Sequence, residues 1–210
     1  PCMGFAAGVM SAAAGFSMIL PAMRQNEGGW LIVTLGFMLG AAMIAGVDAL
    51  ICRVRRIQNA SDSARKRLMM VAAITLHNIP EGMAVGLAFA LAGVQGGLAA
   101  AAVLALGIGV QNLPEGLAVA LPFRASGLSR GKSFALGALS GAVEPVFGML
   151  AALMMGAAQS ALPGMMAFCA GAMMQVVFAE MIPQAAKTRA GVAGVMAGYT
   201  LMMALDLALG

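Results

Sequence analysis

The chain has 210 residues, of which 61% are hydrophobic and only 10% charged, with a formal net charge of +4 and a mean hydropathy of +0.93. Soluble domains carry about 25% charged residues, so an ordinary water-facing domain is excluded. The basic residues sit in short breaks between apolar stretches, where they act as topology signals and call for no nucleic acid.

The apolar stretches predict an all-α membrane protein, a polytopic helix bundle forming one transmembrane domain over 1–210. Seven spans are expected, at about 3–23, 30–51, 68–92, 98–122, 133–157, 165–183 and 191–209. Each approaches the roughly 17–25 residues that cross a bilayer core. Barrel strands would alternate apolar and polar residues, and these runs do not, so they are helices. Their Gly and Ala content suits close helix packing. No basic n-region precedes the first stretch, so it does not read as a signal peptide; an upstream helix is expected.

The breaks between spans set the orientation. Loop 52–67 carries Arg53, Arg55, Arg56, Arg65, Lys66 and Arg67, loop 123–132 carries Arg124, Arg130 and Lys132, and loop 184–190 carries Lys187 and Arg189. The three intervening loops hold only Arg24. By the positive-inside rule the basic loops face the cytoplasm and the C-terminus lies outside. In a bacterium the host membrane would be the plasma (inner) membrane. Cys2, Cys52 and Cys169 form no C-x-x-C pair and read as packing residues. The Asn59-Ala60-Ser61 sequon falls in a cytoplasmic loop and is discounted.

The chemistry lies in the acidic residues. Glu81, Glu115 and Glu144 fall near the middles of their spans, while every Lys and Arg lies in a loop. A carboxylate at a membrane centre costs roughly 2.5–3.5 kcal/mol. With no cationic side chain to neutralise these three, the counter-ion is a proton or a cation from solution. The third span reads His77-Asn78-Ile79-Pro80-Glu81-Gly82 and the fourth Gln111-Asn112-Leu113-Pro114-Glu115-Gly116. In each, the first residue and the Glu stand one turn apart on one face, with the Asn able to reach it. Pro80 and Pro114 cannot bond the carbonyls of Leu76 and Val110, which predicts kinks and a polar pocket. Glu144-Pro145 adds a third carboxylate beside a proline, and Met10 a thioether. Imidazole, carboxylate and amide donors suit Zn2+, Fe2+, Mn2+ or Cd2+ better than copper(I). These ions are substrates; no cofactor is expected.

The paired motifs, followed by SGAVEP, resemble the ZIP (Zrt/Irt-like protein) family of metal transporters, in its GufA-like branch, over essentially the whole chain. The resemblance implies an eight-helix core with both termini outside, of which seven helices are present. It implies homodimers that bring zinc and related divalent ions into the cytoplasm, a four-helix transport unit moving against a scaffold. It places His77, Glu81, Gln111, Glu115 and Glu144 at the primary metal site, with Met10 beside it and Asn78 and Asn112 at an adjoining one. Asn112 stands where some relatives carry Asp, which argues against a tightly held second ion. Loop 52–67 contains no histidine, so the metal-sensing loop of some relatives is not expected.

Outside the motifs, Glu180 is taken as an exit-path ligand and Ser17 as a possible lining residue. Asp48 and Asp206, nearer the span ends, are expected to be caps or packing contacts. Binding needs deprotonated glutamates, so uptake is expected to weaken in acid. Competing readings are an intramembrane metal-dependent hydrolase, a proton- or sodium-coupled carrier of another cation, and a non-transporting receptor. One histidine cannot supply His-Glu-x-x-His, and a receptor gives no reason to keep three unneutralised carboxylates.

Overall fold

The computed structural model describes residues 2–25, 29–57, 63–157 and 159–209; the sequon lies outside them. Among the described residues there is no strand. The helices are α1 Cys2–Gln25, α2 Trp30–Ile57, α3 Ser63–Gln95, α4 Leu98–Ala125, α5 Arg130–Gly141, α6 Val143–Ala157, α7 Leu162–Ala185 and α8 Arg189–Leu209.

Among the described residues six stretches are long and apolar enough to cross a membrane, α5 and α6 together making one. The longest described helix, α3, carries His77, Asn78, Pro80 and Glu81 near its middle. The expected span at 133–157 is two helices that part at Ala142. Pro145 has no N–H to offer the Gly141 carbonyl four residues back, so the ladder fails there. Pro80 and Pro114, by contrast, sit inside helices that run on without a break. Two helices widen locally into π turns, Ala13–Ile19 in α1 and Val177–Met181 in α7. In α7 this turn immediately precedes Pro183, which leaves the Ala179 carbonyl without its usual donor.

The helices pack mainly in pairs, α1 with α8, α2 with α7, α3 with α6 and α4 with α5. Glycine lets these backbones approach closely. A Cβ on Gly82 would strike the backbone of Glu144, and one on Gly86 the backbone of Gly148. Gly40 meets Phe168 and Gly171 meets Phe37 across α2 and α7, while Gly8 meets Val195 across α1 and α8. Such contacts let dispersion and Cα–H···O contacts replace a hydrophobic drive that lipid does not supply. At the α3–α4 turn, Gly96 and Gly97 take φ of +83° and +91°, where a Cβ is strained.

Gly86→Ala should therefore cost about 1–3 kcal/mol of stability through overpacking, read as a lowered thermal midpoint in detergent. Gly93→Ala, whose methyl would meet open space in the same helix, should not lower it.

Candidate metal pathway

Helix α3 carries the first motif through the middle of the bundle, against α4, α6 and α7. Glu81 is fully buried, and neither of its carboxylate oxygens has a hydrogen-bond partner. Gln111 is equally buried and lies alongside Glu81 without closing a good hydrogen bond. The charges that act on Glu81 are those of Glu115 and Glu144, and those acting on Glu115 include Glu144 and Glu180. Among the described residues no lysine or arginine pairs with any of them. A buried polar group without a partner costs free energy, so this centre is built to receive a proton or a cation.

Its walls are fixed from neighbouring helices. Asn78 Nδ2 donates to the Ser140 carbonyl at 3.0 Å, which ties α3 to the last turn of α5. Asn112 Nδ2 donates to Glu144 Oε2 at 2.7 Å, leaving Oε1 unpartnered. The two asparagines and Glu144 line a side cavity of about 250 Å3 between α3, α4, α5 and α6. Each motif glycine is a packing point, Gly82 against Glu144 and Gly116 against Gly137. The residue that follows each glutamate thus brings the partner helix against it. This second role could have been read from the -Glu-Gly- ending, since a small residue marks close helix approach.

His77 also has partners on two other helices. His77 Nε2 lies 3.2 Å from Asp48 Oδ1. Ligand atoms of Asp48, His77 and Glu180 all fall within 4.8 Å of one another, the only such set among the described residues. Side chains on a helix lean towards its N-terminus, so His77 leans down α3 towards the end of the bundle bearing the basic loops. Asp48, expected to be a cap or packing contact from its place near a span end, contacts His77 and belongs to this three-donor cluster. The π turn of α7 presents Glu180 to that cluster, and Glu180 keeps contact with solvent. Met10 is buried in the apolar core; a ligand role for it rests on the resemblance alone.

At the opposite end, a cavity of about 290 Å3 is lined by Ser17, Arg24, Gly96, Gly97, Met166 and Asp206, among others. Asp206 accepts a 2.7 Å hydrogen bond from Ser17 Oγ through Oδ1, and its Oδ2 is unpartnered. Ser17 lines the same cavity from the π turn of α1. Between this vestibule and Glu81, α3 and α4 place Ala84, Leu87 and Ile108, all essentially inaccessible.

Taken together, an apolar helical bundle with an unneutralised carboxylate centre, flanked by donor groups towards each end, defines a multi-pass membrane carrier of cations. The chain belongs to the ZIP zinc transporter family, whose signature matches residues 54–206. It is 36% identical to zinc transporter GufA of Myxococcus xanthus over all of this chain and 87% of that protein. It is 36% identical to zinc transporter ZIPB of Bordetella bronchiseptica over 99% of this chain and 71% of that one. Human zinc transporter ZIP11 is 42% identical over 73% of this chain, which covers only 46% of the human protein. Membership places the chain among transporters of divalent metal ions, not among enzymes.

If Asp48 is a ligand, Asp48→Asn should weaken zinc binding to the purified protein roughly 10–100-fold at one site, measured by titration calorimetry. An unchanged isotherm would return Asp48 to a structural role.

Proposed function

We propose that this protein carries Zn2+ from outside into the cytoplasm by alternating access, the ion being held in the membrane by Glu81, Gln111, Glu115 and Glu144. The observation that carries the reading is Glu81, fully buried with two unpartnered carboxylate oxygens and no cationic side chain beside it. The basic loops face the cytoplasm and the vestibule faces outside. Asp48, His77 and Glu180 then receive the ion on the cytoplasmic side. The vestibule side is sealed by Ala84, Leu87 and Ile108, while Glu180 is exposed towards the end bearing the basic loops. That asymmetry is what one state of an alternating-access carrier requires.

The donor set also admits Fe2+, Mn2+ and Cd2+. With Asn112 as a neutral amide, the side cavity holds no tightly bound second ion. The exposed apolar side chains of α2, Leu31, Leu35 and Leu39 among them, meet lipid or, in a homodimer, a second copy.

The decisive measurement is zinc influx into liposomes containing the full-length protein. Wild type should carry zinc, and Glu81→Ala and the near-isosteric Glu81→Gln should both lose at least tenfold in flux. Equal flux in all three would place the path elsewhere. Zinc bound without any wild-type flux would sink the transport reading.

A further inference from the structure

Arg24 is the one basic residue outside the three basic loops, and the structure places it on the wall of the same vestibule as Asp206. Among the described residues no carboxylate forms an ion pair with its guanidinium. A fixed positive charge at the mouth of a cation path opposes what the path must attract. Asp206, with one oxygen bound to Ser17 and the other unpartnered, is the carboxylate that faces it across the cavity.

We propose that Arg24 sets the affinity of the outer vestibule for divalent cations, balancing Asp206 so that the vestibule passes an ion inward instead of retaining it. A conducting path must bind strongly enough to admit an ion and weakly enough to release it. A lone carboxylate beside an open cavity biases that balance towards retention, and a nearby guanidinium restores it without blocking the site. The field of one charge acts on a divalent ion twice as strongly as on a monovalent one. Arg24 is thus a positioning residue of the electrostatic kind, acting on ion occupancy without touching the buried glutamates.

The size of the effect follows from the cavity. As a sphere, a volume of about 290 Å3 is about 8 Å across, and at that distance in water a unit charge changes divalent occupancy roughly three- to sixfold. Asp206 is buried but Arg24 is exposed, so the field of Arg24 acts through the open cavity. Salt must therefore remove it, because the screening length falls from about 30 Å at 0.01 M to about 3 Å at 1 M ionic strength.

The inference rests on the proposed influx through the vestibule, and its test separates the two. Zinc influx into liposomes bearing the full-length protein is measured against zinc concentration at about 0.01 M and about 1 M salt, for wild type, Arg24→Gln and Arg24→Lys. At low salt, Arg24→Gln should lower the KM roughly three- to sixfold and, because the ion is then retained, lower the maximal rate as well. At high salt the difference should vanish, and Arg24→Lys should follow wild type under both conditions. Normal wild-type flux with equal KM values at low salt overturns the role of Arg24 and leaves the transport reading standing. A KM shift that survives high salt, or that Arg24→Lys shares with Arg24→Gln, also overturns it by making the effect steric. Absence of wild-type flux removes the transport reading and this inference with it.

Discussion

Everything else in this bundle is arranged around carboxylates held where neither water nor a basic side chain can neutralise them. A glutamate centred in a membrane costs roughly 2.5–3.5 kcal/mol even on the mildest scales, and three sit on α3, α4 and α6. A fold that needed only packing would place leucine at these positions. Protonation alone would settle the cost, but then Glu81 would be expected to donate to a neighbour. Its oxygens have no partner, and neither do the amide atoms of Gln111 alongside it. An unsatisfied acid next to an unsatisfied amide is the donor pair on which the proposed ion site rests.

Holding that set together falls to the smallest residues in the chain. Gly82 and Gly116 follow the two motif glutamates and bring α6 and α5 against them. Asn78 and Asn112 use their N–H groups to fix those neighbours, one on a carbonyl of α5 and the other on Glu144. Each motif therefore combines two parts: a carboxylate for the proposed ion site, and an amide and a glycine that fix the wall. An exchange at any of these positions acts on packing and on the site at once, so stability and transport are coupled here by construction.

The membrane class, the approximate spans and the three central glutamates were legible in the sequence, because lipid imposes long apolar runs and makes each charge conspicuous. The partners of His77 were not. Spacing put His77 and Glu81 on one face, and nothing local tells that the imidazole turns to Asp48 on α2 and Glu180 on α7. Those contacts depend on helix packing across long sequence separations. For Asp48 and Asp206, position near a span end says how wet a residue is, not what faces it, which here is His77 and Ser17. The break at Ala142 was foreshadowed by Pro145, but Pro80 and Pro114 show that proline alone does not decide. Their helices are held along their length by neighbours, whereas α5 and α6 pack on different partners.

The packing also says where relative motion is least costly. Within the tight pairs, glycine meets backbone: Gly82 on Glu144, Gly40 on Phe168, Gly8 on Val195. Such contacts do not slide without loss. Between α4 and the α1–α8 pair, Gly107 instead faces the thioether of Met202 and the end of Val9. Flexible side-chain tips, Met above all, can repack as one surface moves over another. The division this suggests groups α3, α4, α5 and α6 against α1, α2, α7 and α8. It places Glu81, Glu115 and Glu144 on one body and Asp48, Glu180, Ser17 and Asp206 on the other. A shift between the two bodies would carry the glutamate centre from the Asp206 side towards the Asp48 side. It would also carry His77 with the moving body, from its present contact with Asp48 and Glu180 towards the middle of the path. His77, one turn from Glu81 and in contact with Asp48, would then serve both groups of donors, in different states.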